Sequence, residues 1–284
     1  MLDTVSPPPS SATQPPRKGW LLWPFQTLAR RTSQGVAVTF YSLVVLIPLA
    51  ALFSSAFTHG WGFFWKAATA KEALAAYRLT ITCSLLAALT NAVAGLGTAW
   101  VLVRDTFRGK AILNALIDLP FALPTVVAGV TFYTLYGPKS PVHLTLTGTW
   151  TGITVAIVFV TLPFTVRSVQ PVIETMTFNA EAAAATLGAS PWRVFRTITL
   201  PTLLPAILTG TGLAFARAMG EYGSVVFVSN NLPFRTEVAS SYIYSLASAG
   251  DPVGAAATAV TMLVMALVVL IAVSVASRRL VKGS

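Results

Sequence analysis

The chain has 284 residues, 55% of them hydrophobic and only 10% charged, with a formal net charge of +10. Soluble domains carry about 25% charged residues, so the composition excludes an ordinary soluble domain and points to an all-α integral membrane protein. The positive charge does not describe a nucleic-acid surface, because the basic residues form short clusters at the ends of apolar runs, as membrane topology requires.

Residues 1–19 are rich in Ser, Pro and Thr; they are too poor in apolar side chains to bury a core and read as a disordered cytoplasmic tail. Residues 20–35 hold a short apolar, aromatic stretch closed by Arg30-Arg31, which suits a segment lying at the membrane interface. No small-residue cleavage site follows the first long apolar run, so a cleavable signal peptide is not expected. Residues 36–284 form the spanning domain. Six apolar runs, at about 36–57, 77–103, 111–136, 149–169, 201–228 and 253–276, are each long enough for a hydrocarbon core needing about 20 residues. Gly95 and Gly97 offer close helix contact in the second, and Pro120 and Pro124 punctuate the third. The lone Cys83 lies in an apolar run, and His59 and His143 lie far apart in loops, so neither a disulfide framework nor a His/Cys metal site is expected.

Six spans put both termini on one side. With the N-terminus inside, thirteen basic residues fall in the cytoplasm and five (Lys66, Lys71, Arg78, Lys139, Arg235) outside, with Arg217 inside a span. The positive-inside rule therefore places both termini, and the segment 179–201, in the cytoplasm.

That segment is the polar interlude of the second half. Glu181 to Leu187, with four consecutive alanines, is a strong helix former. Gly188 stops it as a C-terminal cap residue does, and Ser190-Pro191 starts another helix, which Leu200-Pro201 carries into the next span. Two short helices meeting at a glycine on a membrane face make a knob that another protein can grip. A plain amphipathic loop helix is the alternative.

Three ionisable residues lie in or at the mouth of apolar runs: Asp118, Arg217 and Glu221. Charges at that depth usually face a bundle interior or a water path. Arg217 and Glu221, four apart, share a helix face and can pair. Gly220 and Gly223 would break or bend the fifth span near its middle. A gate or anion path and a structural ion pair both remain open for this pair. For Asp118, Pro120, Pro124 and Thr125, a helix kink and a direct substrate contact are both open.

The segment Glu181-Ala182-Ala183 with Gly188, Ala189, Ile198, Leu200 and Pro201 resembles the coupling motif of ABC-importer permeases: Glu-Ala-Ala, three residues, Gly, nine residues, Ile-x-Leu-Pro. Gly188, Ile198, Leu200 and Pro201 stand at the motif spacing. Ala182 occupies the motif glutamate position and Glu181 comes one residue early, a helix rotation of about 100°. The stretches Asp118–Thr125, Val169-Gln170-Pro171-Val172, Ala185–Ala189 and Arg217–Gly223 look like those of sulfate/thiosulfate-importer permeases of the CysT type, over about residues 35–280. Thr236-Glu237-Val238 and Tyr242-Ile243-Tyr244 also match that type.

The resemblance implies a type I ABC-importer permease fold, with six transmembrane helices and cytoplasmic coupling helices, in the bacterial inner membrane. It implies a heterodimer with a CysW-like second permease subunit, two copies of an ATP-binding subunit, and an external sulfate-binding protein. ATP and Mg would be held by the ATPase and no cofactor by this chain, which has no Gly-rich phosphate loop and is no enzyme by itself. Residues 179–201 would couple to the ATPase, and Asp118, Pro120, Pro124, Arg217, Gly220 and Glu221 would line the translocation pathway or its gate. Molybdate-importer permeases resemble the chain in the coupling motif and in Arg217-x-x-Gly220-Glu221, so a molybdate or tungstate importer is one alternative. A proton-coupled anion transporter using Asp118 or Glu221 is another, although no internal repeat supports it.

Overall fold

The computed structural model describes residues 23–176 and 179–283, with side chains described for 32–176 and 179–279. The expected tail (1–19) and the basic side chains of Arg17, Lys18, Arg30, Arg31 and Lys282 lie outside the described residues. All regular structure among the described residues is helical. In a bilayer every backbone N–H and C=O must be satisfied within the protein, and helices do this within one segment.

Contacts divide the chain into two units, up to Ala51 and from Leu52 on. The first holds α1 (Trp23–Tyr41), a π-helical turn (Ser42–Leu46) and the start of α2 (Ile47–Ala56). The described part of the expected interfacial segment is thus continuous with the first span, and Phe40, Val44 and Leu46 are exposed as lipid-facing side chains are.

The second unit comprises α3 (Gly60–Ala68), α4 (Lys71–Arg104), α5 (Lys110–Ala122), α6 (Thr125–Tyr136), α7 (Trp150–Thr175), α8 (Asn179–Thr186), α9 (Pro191–Val194), α10 (Leu200–Met219), α11 (Gly223–Ser229), α12 (Ala239–Ser248) and α13 (Pro252–Gly283). Among the described residues, five helical stretches are long and apolar enough to cross a membrane: Thr32–Ala56, Lys71–Arg104, Trp150–Thr175, Pro191–Met219 and Pro252–Arg279. A sixth crossing is reached only if α5 and α6 count as one span, and these are bent by 112°.

That bend departs from the single kinked helix expected over 111–136. Pro120 lies within α5 and is buried, so the helix tolerates it. The break comes at Leu123, whose backbone is extended (φ −81°, ψ 131°) because the residue before a proline is disfavoured from helical geometry. Pro124 then caps α6. At 1.5 Å per residue, α5 and α6 are each roughly 20 Å long, too short to cross alone.

The fifth span also differs. It starts at Pro191 rather than Pro201, because α9 joins α10 through a π-helical turn, Phe195–Thr199. There the Leu200 N–H reaches back to the Phe195 carbonyl, and the widened turn accommodates Pro201, which has no N–H to donate. The helix ends at Met219, and α11 is a separate short helix.

Helices α4, α7 and α10 form the centre. Leu102, Val166, Val169, Ile173 and Leu203 pack together there with Ala99 and Ile117. Thr165 of α7 is the closest point: a Cβ at Gly95 would lie 2.8 Å from its Cβ, and one at Gly210 2.8 Å from its Cα. Gly97, by contrast, faces open space. Fully buried Asn91 of α4 donates to the Val158 carbonyl (3.1 Å) and the Thr161 hydroxyl (2.9 Å) of α7, an interhelical polar tie in an apolar setting. Arg104 at the end of α4 meets α8. At the opposite end, the Cys83 thiol reaches the Trp150 carbonyl (3.7 Å), and Thr80 of α4 accepts from the Ala239 N–H (2.8 Å).

Candidate functional site

The knob forms as its residues dictate. Helix α8 closes in a Schellman cap: the Ala189 N–H donates to Ala184 O and the Gly188 N–H to Ala185 O, both at 3.0 Å. Gly188 takes φ +82°, and a Cβ there would meet nothing within 4 Å, so its backbone and not its size is the constraint. The Ser190 hydroxyl accepts the Arg193 N–H and Pro191 fills the first helical position of α9. Ala182 and Ala183 are exposed, Ala189, Ile198 and Leu200 half-buried, and Pro201 exposed. Leu187 and Trp192 flank the cap at 87% and 69% exposure.

Glu181 turns the other way. Its carboxylate takes a bidentate pair of hydrogen bonds from Arg104 of α4 (3.0 and 3.2 Å) and one from the Thr199 hydroxyl (2.8 Å). Arg104 also lies over the Trp100 ring, 4.8 Å from its centroid; Trp100 meets Phe195 edge-on and Phe195 stacks on Trp192. The early glutamate therefore has a partner in its own chain: it ties α8 to α4 and to the turn leading into α10, and leaves Ala182 outward. Neither Arg104 nor Thr199 was singled out by sequence reasoning, since 77 and 18 residues separate them from Glu181.

The remaining candidates form two clusters. Asp118 of α5 is held bidentately by Arg167 of α7 (2.6 and 2.8 Å). Arg167 also donates to the Asn114 side chain (2.9 Å), the Asn114 carbonyl (3.2 Å) and Gln170, which donates to Glu174 (2.9 Å). Pro120 lies two residues beyond Asp118 on α5.

In the second cluster, Arg217 and Glu221 pair at 2.6 Å as their spacing suggests. Glu221, however, lies beyond the end of α10 rather than on it. Its side chain is 1% exposed and also accepts the Ser224 N–H (2.9 Å) and hydroxyl (2.8 Å), fixing the first turn of α11. A Cβ at Gly220 would meet only the Arg217 carbonyl, at 4.0 Å, whereas Gly223 is packed: a Cβ there would lie 3.0 Å from the Val126 backbone nitrogen. A Cβ at Gly129 of α6 would likewise lie 2.8 Å from the Gly223 carbonyl. The break at Pro124 and the break after Met219 thus meet backbone to backbone. Beyond the spans, Glu237 is buried against α12 and accepts the Ser245 hydroxyl (3.2 Å); burial pushes its carboxyl up, partly offset by that hydrogen bond. Among the described residues no three His, Cys, Asp or Glu side chains cluster as metal ligands.

Residues 91–282 match the family described as binding-protein-dependent transport system inner membrane component. The chain is 38% identical over 254 residues to the sulfate transport system permease protein CysT of Escherichia coli (strain K12), covering 87% of this chain and 92% of that one. It is 43% identical to a probable sulfate transport system permease protein cysT of Nephroselmis olivacea, over 82% of this chain and 85% of that one. Its fold is similar to that of a subunit of a bacterial alginate ABC transporter crystallised with an alginate pentasaccharide-bound periplasmic protein. The TM-score there is 0.73 at 18% identity, over 92% of this chain and 96% of that one. The chain belongs to the family of binding-protein-dependent transport system inner membrane components, with the fold of an ABC-importer permease.

Proposed function

We propose that the chain is a membrane subunit of an ATP-driven sulfate importer, with thiosulfate as a second substrate. The observation that carries this reading is 38–43% identity, over more than four-fifths of the chain, to permeases named for sulfate transport. It forms half of the translocation pathway beside a second, CysW-like permease subunit. Two copies of an ATPase bind ATP and Mg, and an external sulfate-binding protein delivers the anion. Family membership sets aside the proton-coupled carrier.

The knob of α8, Gly188 and α9 is where the ATPase grips, with Leu187 and Trp192 entering its surface. Glu181, Arg104 and Thr199 pass the movement to α4 and α10. The meeting of α6 and α11 beside Arg217–Glu221 belongs to the gate, with Asp118–Arg167 bracing α5 against α7. The α8 end faces the cytoplasm, in line with the basic residues there: Arg104, Arg108, Lys110, Arg167, Arg193, Arg196, Arg278 and Arg279.

The test is uptake of radiolabelled sulfate by cells lacking their own sulfate permeases, supplied with this chain and its partner subunits. Sulfate accumulation that is lost on ATP depletion and competed by thiosulfate supports the reading. Accumulation of molybdate with no sulfate taken up would replace it with the molybdate or tungstate importer.

A further inference from the structure

Five basic residues lie at the end of the bundle opposite α8: Lys66, Lys71, Arg78, Lys139 and Arg235. With α8 in the cytoplasm this end is external, where membrane proteins are depleted in Lys and Arg. Two of the five, Arg78 on α4 and Arg235 in the loop before α12, are 157 residues apart in sequence yet line one cavity of about 350 Å³, together with Leu79, Thr82, Trp150 and Phe234. That volume lies within the range of about 300–1,000 Å³ typical of small-ligand sites.

The charges in this cavity are unbalanced. Arg104, Arg167 and Arg217 each hold a carboxylate. Among the described residues the side chains of Arg78, Arg235 and Thr82 have no hydrogen bond or ion pair, and no carboxylate lines the cavity. Glu237, next but one to Arg235, turns its carboxylate to Ser245 instead.

The loop carrying Arg235 is held in a costly shape. Asn230, Asn231 and Phe234 all have positive φ (60°, 48° and 61°), uncommon for any residue but glycine and rarest for a bulky one. Asn230, the C-cap of α11, and Asn231 are of a residue type that tolerates this geometry, whereas Phe234 is strained there, and such strain clusters at functional sites. The N–H groups of Arg235, Thr236 and Glu237 all converge on the Leu232 carbonyl (2.9–3.1 Å), and the Leu232 N–H returns to the Thr236 hydroxyl (3.2 Å). This closed knot fixes the backbone from which Arg235 and Phe234 reach the cavity.

We propose that Arg78 and Arg235, with the Thr82 hydroxyl, form a binding site for a tetrahedral oxyanion at the external mouth of the chain. Guanidinium forks match the paired oxygens of such an anion; Trp150 and Phe234, 55% and 59% exposed, flank an open mouth in which the anion also meets solvent. The role, which rests on the importer reading above, is to hold the anion between its release from the external protein and its entry to the pathway.

The complete importer is reconstituted in liposomes of phosphatidylcholine, with and without phosphatidylglycerol, and radiolabelled sulfate uptake and ATP hydrolysis are measured together. In Arg78→Gln/Arg235→Gln the sulfate moved per ATP is expected to fall at least fivefold in both lipids, with stimulation of hydrolysis by the binding protein unchanged. Arg78→Lys/Arg235→Lys should recover at least half of the loss. An unchanged ratio in the glutamine variant overturns the proposal. A loss seen only with phosphatidylglycerol assigns the cavity to a lipid headgroup, and a raised half-saturating binding-protein concentration at constant ratio assigns it to protein docking; either overturns the free-anion site. If the wild type moves molybdate and no sulfate, the sulfate reading fails alone, and the arginine pair is judged by molybdate moved per ATP under the same criterion.

Discussion

Glu181→Ala removes the strut that fastens α8 to the bundle. The strut comprises two hydrogen bonds from Arg104 and one from Thr199, with side-chain exposures of 11% for Arg104 and 19% for Glu181. An exposed ion pair contributes about 0.2–1 kcal/mol, and breaking a fully buried one costs about 3–5 kcal/mol. A bidentate pair with a fifth or less of each side chain exposed falls between, and we expect about 2–3 kcal/mol. The cost is local, because α4 is anchored independently by Ala99 and Leu102 in the core. The ratio of docked to undocked α8 should therefore fall roughly 30- to 150-fold. Hydrogen exchange over residues 179–187 reads this directly: protection there should drop by that factor while residues of α4 and α7 hold theirs. A cycle with Arg104→Ala should show a coupling of at least about 1.5 kcal/mol. Sulfate uptake should fall although the ATPase still copurifies, since the gripped element is intact and only its connection is cut. Exchange within threefold of the wild type, or additive single variants, would refute the strut.

Five other substitutions separate packing from chemistry. Gly129→Ala places a methyl 2.8 Å from the Gly223 carbonyl, and with backbone on both sides it should lower stability by about 1–3 kcal/mol, whereas Gly97→Ala, facing open space, should leave the unfolding temperature unchanged. Arg217→Ala leaves a carboxylate of 1% exposure with only its Ser224 hydrogen bonds, so the yield of folded protein should fall; the double variant with Glu221→Gln, which buries no charge, should restore it. Asp118→Asn breaks a pair whose side chains are 47% and 29% exposed; we expect a stability loss of no more than about 1 kcal/mol, with uptake reduced if α5 must move against α7, as initial rates against melting temperature will tell.

What was legible in the sequence was local. Gly188, Ser190 and Pro191 announce their caps because each acts on the backbone within a few residues, and the structure bears out all three. Pro124 announces a break for the same reason, but not its 112° angle, which depends on α6 packing on α11 through Gly129 and Gly223. Reading Leu200-Pro201 as the start of a span failed because a π-helical turn absorbs the proline, and no residue type specifies such a turn. Gly95 and Gly97 looked equivalent, yet two residues place them on different helix faces and only Gly95 meets a neighbour. The partners of Asp118 and Glu181 escaped because Arg167 and Arg104 served equally well as topological charges. Pairing across 49 and 77 residues is set by the helix bundle and not by spacing. Asn91 did carry a signal, as a lone amide in an apolar span, where a polar side chain seeks an interhelical partner.

The most direct test of the coupling assignment is copurification of the ATPase with this chain from detergent, for the wild type and for Gly188→Asp. A Cβ at Gly188 meets nothing within 4 Å, and the left-handed backbone costs a non-glycine residue only about 1–2 kcal/mol, so the variant should insert and fold. If the knob is the ATPase grip, the wild type retains the ATPase and the variant loses it together with sulfate uptake. A variant that folds, keeps the ATPase and transports at the wild-type rate would contradict the account.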